Sequence, residues 1–218
     1  KIRSMLVQQV LNIGCKFLIE LKMEYSFVFM GSTHSFLDDF LKQSEIINSV
    51  NPEFVLSEEL EDFKLDSEEK FKEIFKRKYI SEMTSFNEVE KLLKLCFKKK
   101  INLIGIDLHN FGFNKILQNK IKNQKELTKD EEKLLESITK EREEHHLNKI
   151  LEYKEKTNKS VVIIIGCWHL RKDSLLRKKL KNYKIIAPLD KNGEVLFEPT
   201  NKKIKYGAII SDDNKIKN

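Results

Sequence analysis

The sequence predicts an α/β fold, with a central mixed sheet flanked by helices. Three observations predict it. Short apolar runs alternate with longer segments of helical periodicity. The run Val161-Val162-Ile163-Ile164-Ile165 is apolar at every position, which suits a strand covered on both faces. Turn formers are sparse, with 7 Gly and 3 Pro in 218 residues, which leaves little room for a flexible linker and favours one domain over 1–218.

The elements follow in chain order. Met5–Leu21 carries apolar residues at helical spacing (Leu6, Val10, Ile13, Phe17, Leu21) and predicts a helix. Ser26–Met30 is a short apolar run ended by Gly31, a buried strand. Ser35–Val50 reads as a helix, and Phe54–Leu56, led by Pro52, as a second strand. The stretch 63–99 reads as an all-helical insertion, placed like a cap over a site. Ile101–Leu108 is a third strand. A long charged helix covers 128–156, opened by a capping box of Thr128 and Glu131. Val161–Ile165 and Lys184–Ala187 are further strands. Lys191-Asn192-Gly193 is a turn before Glu194–Phe197, and Tyr206–Ser211 is expected to pair back on that segment. Ser26–Met30, Phe54–Leu56, Ile101–Asp107 and Val161–Ile165 are expected in one sheet.

Composition narrows the function classes. Hydrophobic residues at 40% exclude a disordered chain. The 41 basic residues interleave with 34 acidic ones, as in Glu68-Glu69-Lys70-Phe71-Lys72-Glu73, so the net charge of +7 reads first as solvated helix faces. A nucleic-acid surface is the alternative reading of that charge, through Lys98-Lys99-Lys100 and Arg177-Lys178-Lys179. Cys15, Cys96 and Cys167 match no zinc knuckle and form no complete disulfide framework; they read as core thiols in a reducing, cytoplasmic setting. The longest strongly apolar run is too short to span a bilayer. Residue 1 is Lys, which leaves open what precedes it.

The chemistry lies in a repeated pattern. Phe27-Val28-Phe29-Met30-Gly31-Ser32-Thr33-His34 and Val162-Ile163-Ile164-Ile165-Gly166-Cys167-Trp168-His169 are each an apolar strand followed by Gly-x-x-His. Asp38 and Asp173 recur at the same offset. In open α/β sheets, ligands bind beyond the carboxyl ends of the strands. Glycine lets the chain turn off a strand, and a histidine three residues on is then held at the rim on a short tether. Two such strands side by side would bring two imidazoles to one divalent ion, and a carboxylate would complete the set. Helix capping or backbone satisfaction by each His is the structural alternative.

These pieces resemble the superfamily of TIKI-type metalloproteases, TraB/PrgY pheromone-shutdown proteins and GumN-like proteins. The resemblance rests on the first Gly-x-x-His, on Pro52-Glu53-Phe54-Val55-Leu56-Ser57-Glu58, on Gly105-Ile106-Asp107, on Arg142-Glu143 and on Gly166-Cys167-Trp168-His169-Leu170, over roughly 26–180. It implies His34, Glu58 and His169 as ligands of a divalent metal ion (Mn, Co or Zn). Glu59 is the rival to Glu58, which is preferred because its spacing from Pro52 matches the family's strand. Glu143 stands where the family usually has Asn or Asp, and Arg171-Lys172-Asp173 where it often has Gly.

Helix geometry gives Arg142 and Glu143 an independent check. At 100° per residue Glu143 shares a side with Leu147 and Ile150, and a carboxylate on an apolar face needs a partner or a metal. Arg142 lies nearer Leu135 and Ile138; a buried structural ion pair is the alternative. Asp107, at a strand's carboxyl end, is expected to hold Arg142 or a ligand His. His145 and His146 read as bystanders, although His146 lies near Glu143 in angle, and His109 and Trp168 read as packing. Ser32 and Cys167 are rival nucleophiles whose small size close strand packing explains. No Gly-x-Ser-x-Gly elbow, P-loop or Rossmann glycine cluster is present. The expected function is metal-assisted hydrolysis of a peptide or small-molecule ester, with Glu143 as general base and Arg142 on the developing oxyanion. A nucleic-acid binder or nuclease, and a non-catalytic TraB-like scaffold, are the alternatives.

Overall fold

The computed structural model describes residues 25–33, 37–197 and 206–211. The strands are β1 (Phe27–Ser32), β2 (Phe54–Ser57), β3 (Lys64–Leu65), β4 (Asn102–Gly105), β5 (Val161–Gly166), β6 (Tyr183–Pro188) and β7 (Tyr206–Ile210). The helices are α1 (Leu37–Val50), α2 (Glu68–Ile74), α3 (Phe86–Lys99), α4 (Lys115–Lys122), α5 (Lys129–Glu155) and α6 (Leu175–Lys179). The helix expected at Met5–Leu21 lies outside the described residues, as does His34.

All seven strands form one mixed sheet in the order β3-β4-β2-β5-β1-β6-β7. The five inner strands are mutually parallel, and β3 and β7 close the two edges antiparallel. The four runs expected in one sheet are in it. Every residue of β1, β2, β5 and β6 is buried, the burial pattern of strands covered on both faces. Val28, Val55, Leu103 and Val162 pack on one face with Ile46 and Ile47 of α1 and Leu92, Leu93 and Cys96 of α3. Phe29, Leu56, Ile104 and Ile163 pack on the other with Ile150 and Tyr153 of α5 and Leu176 of α6. The result is three layers, helix–sheet–helix.

Local chemistry sets the helix ends. Thr128 accepts a hydrogen bond from the Glu131 backbone N–H, and the Glu131 carboxylate accepts one from the Thr128 N–H at 2.8 Å, the predicted capping box. Ser85 and Glu88 form the same box at the start of α3. Helix α5 is about 40 Å long at 1.5 Å per residue. Its first ten residues bury only Ile138, while its second half carries Glu143, His146 and Ile150 onto the sheet. Among the described residues no helix is long and apolar enough to cross a membrane.

Two expectations change. The stretch 63–99 is not an all-helical cap: it holds the edge strand β3, the short helix α2, an irregular segment and α3, whose Val89, Leu92 and Leu93 belong to the main core. The apolar spacing of Phe71, Ile74, Leu92 and Leu93 marks the helices but not that they pack on the main sheet. Residues 206–210 pair with β6, from Lys184↔Ile210 to Pro188↔Tyr206, and not with 194–197. The turn at 191–193 is too tight to leave a usable strand: Asp190 N–H donates to Glu194 O at 2.8 Å, and only a Leu189↔Val195 bridge follows. The long apolar edge of β6 would otherwise stand open, and β7 covers it.

Candidate active site

Strands β1 and β5 are adjacent and parallel, with Ser32 beside Gly166, so both Gly-x-x-His loops leave the sheet at the same edge, one residue out of step. That edge carries the carboxyl ends of β2 and β4 as well. The glycines do not serve a left-handed turn. Gly31 is the last-but-one residue of β1, and a Cβ there would lie 2.8 Å from Ala187 Cβ and 2.9 Å from Cys167 Sγ. Close approach is therefore the reason for Gly31. Gly105 obeys the same constraint, since a Cβ would lie 1.6 Å from the Glu61 carbonyl oxygen.

The first loop is held by a carboxylate from its own helix. Asp39 Oδ2 accepts hydrogen bonds from the Thr33 N–H at 2.8 Å, Thr33 Oγ1 at 3.0 Å and Ser32 Oγ at 3.3 Å, and its Oδ1 accepts one from the Tyr206 hydroxyl. The second loop is held from elsewhere in the chain. Glu58, just past β2, accepts the Gly166 N–H at 2.7 Å. Glu143, on α5, accepts the Leu175 N–H at 3.2 Å and a hydrogen bond from Arg171, and its Oε1 lies 3.5 Å from His169 Nδ1.

Behind these loops lies a buried ionic cluster. Arg142 grips Asp107 through Nε at 2.9 and 3.1 Å and through Nη2, and Nη2 also lies 3.6 Å from Glu58 Oε1. His146 is fully buried, with Nε2 3.3 Å from Asp107 Oδ1 and its ring edge-on to His169 at 4.8 Å between centroids. The His146–Asp107 approach has ion-pair distance but not hydrogen-bond alignment, and neither His146 nitrogen hydrogen-bonds to a described residue. His169 Nε2 faces Glu58 Oε2 at 4.0 Å.

Burial and neighbours set the protonation states. Burial pushes the Glu143 carboxyl up, but His169, Arg171 and the Leu175 N–H outweigh it and hold the group at about 2. Burial likewise works against the Asp107 charge, and His146 and Arg142 overcome it, so Asp107 titrates well below the usual carboxylate range. Burial pushes His146 down, which keeps its imidazole neutral at pH 7. Burial raises the Cys167 thiol to about 12, so it does not form a thiolate at neutral pH.

Two cavities meet at Glu58 and Ser32. One, of about 280 Å³, is lined by Arg142, Gly166 and His169 with Trp168 and Phe197 at its mouth. The other, of about 410 Å³, runs between α1, α3 and Phe111.

Glu58, Asp107, Arg142, Glu143 and His169 thus converge, while Glu59 lies half-buried beside Glu58 on the second cavity. Asp107 holds Arg142, as expected, and faces His146 as well. His146 is a member of the cluster and not a bystander. The helix-phase argument that placed Glu143 inside applied equally to it, three residues further on. Trp168 is 52% exposed and pairs edge-on with Phe197 at 5.3 Å, so it is not core packing. His109 pairs with Glu61 at 3.1 Å and is largely exposed. Asp39 had no signal apart from its place in the first turn of α1. Phe111 was also missed. Asn110, Phe111 and Gly112 take φ of 51°, 55° and 71°, a left-handed turn that Asn and Gly tolerate and Phe does not favour. The turn sets the Phe111 ring 5.0 Å from the Arg142 guanidinium.

No family model matches the sequence, and no curated protein matches it. Among solved structures the chain is similar to RRSP, a MARTX toxin effector domain from Vibrio vulnificus CMCP6, at 11% identity and a TM-score of 0.47. The match covers 90% of this chain, which spans 37% of the length of that one.

Proposed function

We propose that the protein is a hydrolase acting on a peptide or ester bond at the carboxyl edge of the sheet, with His34, Glu58 and His169 holding a divalent metal ion. The observation that carries the reading is the orientation of His169. Its Nδ1 is turned to the Glu143 carboxylate and its Nε2 to Glu58, beside a cavity. The 3.5 Å approach at Nδ1 has ion-pair distance without hydrogen-bond alignment; a small closure would form the carboxylate–imidazole bond that fixes the ring and raises the basicity of the other nitrogen behind metal-bound histidines.

Two of the three proposed ligands can be tested for fit. Zinc binds N and O at about 2.0–2.2 Å, so one ion spans at most ~4 Å between two donors. His169 Nε2 and Glu58 Oε2, 4.0 Å apart, stand at that limit and need a few tenths of an ångström of closure for a bent geometry. Among the described residues no group of three His, Cys, Asp or Glu is placed to hold an ion; His34 lies outside them. A bound ion would supply a water of lowered pKa and a Lewis acid for the scissile carbonyl. Arg142, locked by Asp107 and Phe111, offers a fixed cation to the developing oxyanion. Glu143 is better cast as the group that positions His169 than as the general base, because its oxygens are engaged and its carboxyl titrates at about 2.

The same orientation favours a second reading. His169, backed by Glu143, is itself suited to take a proton from water at Nε2, with no ion required. The nucleic-acid alternative has less to support it. Lys98–Lys100 end α3 where β4 begins, at the sheet edge opposite the site, and Arg177 is committed to Glu194 at 3.2 Å.

The test is metal analysis of the purified protein with turnover of peptide and ester panels by wild type, stripped and reloaded protein, His169→Ala and Glu58→Gln. The metal reading expects activity to vanish on stripping and return on reloading. Activity that survives stripping but not His169→Ala selects the metal-free reading. Full activity in His169→Ala overturns both.

A further inference from the structure

We propose that the 410 Å³ cleft between α1 and α3 is a subsite for a cationic group, so that the substrate carries a guanidinium or ammonium on an aliphatic stem, as in an Arg or Lys side chain next to the bond cleaved; this rests on the hydrolase reading. The cleft adjoins Glu58, so its occupant would lie beside the reacting groups.

Charge is the first argument. The described residues lining the cleft include four carboxylates, Asp39, Glu58, Glu59 and Glu88, and one ammonium, Lys91, although the whole chain carries a net +7. Two of these carboxylates, Asp39 and Glu88, have neutral donors among the described residues: backbone N–H and hydroxyl groups for Asp39, and the Ser85 N–H for Glu88. Neutral donors satisfy lone pairs without cancelling charge. Arg142 offsets Glu58, and Lys91 is exposed at the rim with Nζ 5.7 Å from the Phe40 ring centroid. Low-dielectric walls lined by one sign of charge concentrate counter-ions of the other sign.

Two buried polar side chains supply an independent argument. Gln43 is 6% exposed and Thr84 is 4% exposed; both line the cleft, and neither side chain hydrogen-bonds to a described residue. Their polar atoms are not sealed in the core; they open on the cleft, where an occupant can reach them. Both offer acceptor oxygens where a guanidinium or ammonium presents several donors. The remaining walls, Phe40, Met83, Leu92 and Phe111, are apolar and suit the methylene stem of such a group.

The experiment uses N-acetyl-arginine amide, N-acetyl-leucine amide and N-acetyl-glutamate amide as probes, titrated into the full chain and followed by protein NMR. The arginine probe is expected to bind about tenfold or more tightly than the glutamate probe, and to weaken with added salt. Gln43→Leu and Glu59→Gln should each weaken it by roughly three- to tenfold. His169→Ala, which should abolish turnover, should leave this binding in place. Equal affinity for the three probes, or unchanged arginine binding in both Gln43→Leu and Glu59→Gln, overturns the subsite. Arginine binding without turnover of any peptide or ester leaves the subsite standing and removes the hydrolase reading. Turnover indifferent to a basic residue does the reverse.

Discussion

The two Gly-x-x-His loops leave neighbouring strands at one edge, yet they are held in opposite ways. Gly31–Thr33 is anchored by Asp39, a few residues away, through neutral donors. Gly166–His169 is anchored by Glu58 and Glu143, more than a hundred residues upstream in one case, with Arg171 ion-paired to the anchor itself. The first arrangement is mostly local, with one distant tie from the Tyr206 hydroxyl of β7 to Asp39. The second exists only when β2, α5 and β5 have come together. Sequence similarity between two loops therefore reports the backbone path and says little about what fixes the side chains.

The sharpest way to break that contrast is Glu143→Gln. It leaves Arg171 with the exposed Asp173 as its remaining anionic partner and His169 Nδ1 without a carboxylate. Breaking a buried pair costs ~3–5 kcal/mol; Arg171 is one-fifth exposed and can turn to solvent, so about 2–3 kcal/mol, or a fall of roughly 4–12 °C in Tm, is expected. Turnover should fall further than the stability loss explains, because His169 loses its orientation. Thermal unfolding beside turnover checks both. A variant as stable and as active as wild type would show that Glu143 anchors nothing.

Acid titration probes the same ionic anchoring. Glu143 titrates at about 2 when folded against an ordinary 4.5, and His146 below its ordinary 6.5. Both folded values lie below the unfolded ones, so the unfolded chain binds more protons, and stability falls as pH falls. The His146 contribution should begin to be lost below 6.5, and that of Glu143 between about 4.5 and 2. Tm measured from pH 8 to pH 3 should decline in those two stages, with the lower one reduced but not abolished in Glu143→Gln, because Asp107, Asp66 and Glu131 are also held below their ordinary values. A flat profile would remove the ionic account of the second loop.

What the sequence made legible follows the same division. Apolar runs and helical spacing located β1, β2, β4, β5 and β6, because burial on both faces leaves a local mark. The strand-end positions of Glu58 and Asp107 and the inward phase of Glu143 were legible for that reason. Pairing of β7 with β6 was not, since it depends on which edge stands open. Asp38 and Asp173 matched in the repeat, yet Asp39 anchors the first loop, and Asp173 is an exposed partner of Arg171 at 3.2 Å. His146 shares the inward phase of Glu143, so the helix period carried its signal too, and reading it as a bystander gave that phase too little weight.

Gly31→Ala tests whether the first loop depends on packing more than on turning. The added methyl would meet Ala187 Cβ at 2.8 Å and Cys167 Sγ at 2.9 Å, both in the core. Overpacking costs ~1–3 kcal/mol, and about 2 is expected here, since neither contact is the end of a flexible chain. A Cys167→Ala background should recover part of the loss. Additive losses in the double variant would mean that the contact with Cys167 is not the source of the strain.

The smallest effect expected is that of Asp39→Asn, and its smallness is the informative result. The substituted amide keeps one oxygen, which can still accept from the Thr33 N–H, Thr33 Oγ1 and Ser32 Oγ. Its NH₂ would face the Tyr206 hydroxyl, whose oxygen can accept once the hydroxyl hydrogen rotates away. No cation is stranded, because the donors Asp39 holds are neutral. What is lost is the extra strength of hydrogen bonds to a charged acceptor, about 1 kcal/mol net or roughly 2–4 °C in Tm. The same isosteric loss of charge at Glu143 is expected to cost two to three times as much, a ratio that denaturant unfolding of the two variants side by side would measure. Equal losses would mean that Arg171 contributes nothing to the second loop. A larger loss at Asp39 would mean that its charge faces a cation in the folded protein, and would make both loops ionic.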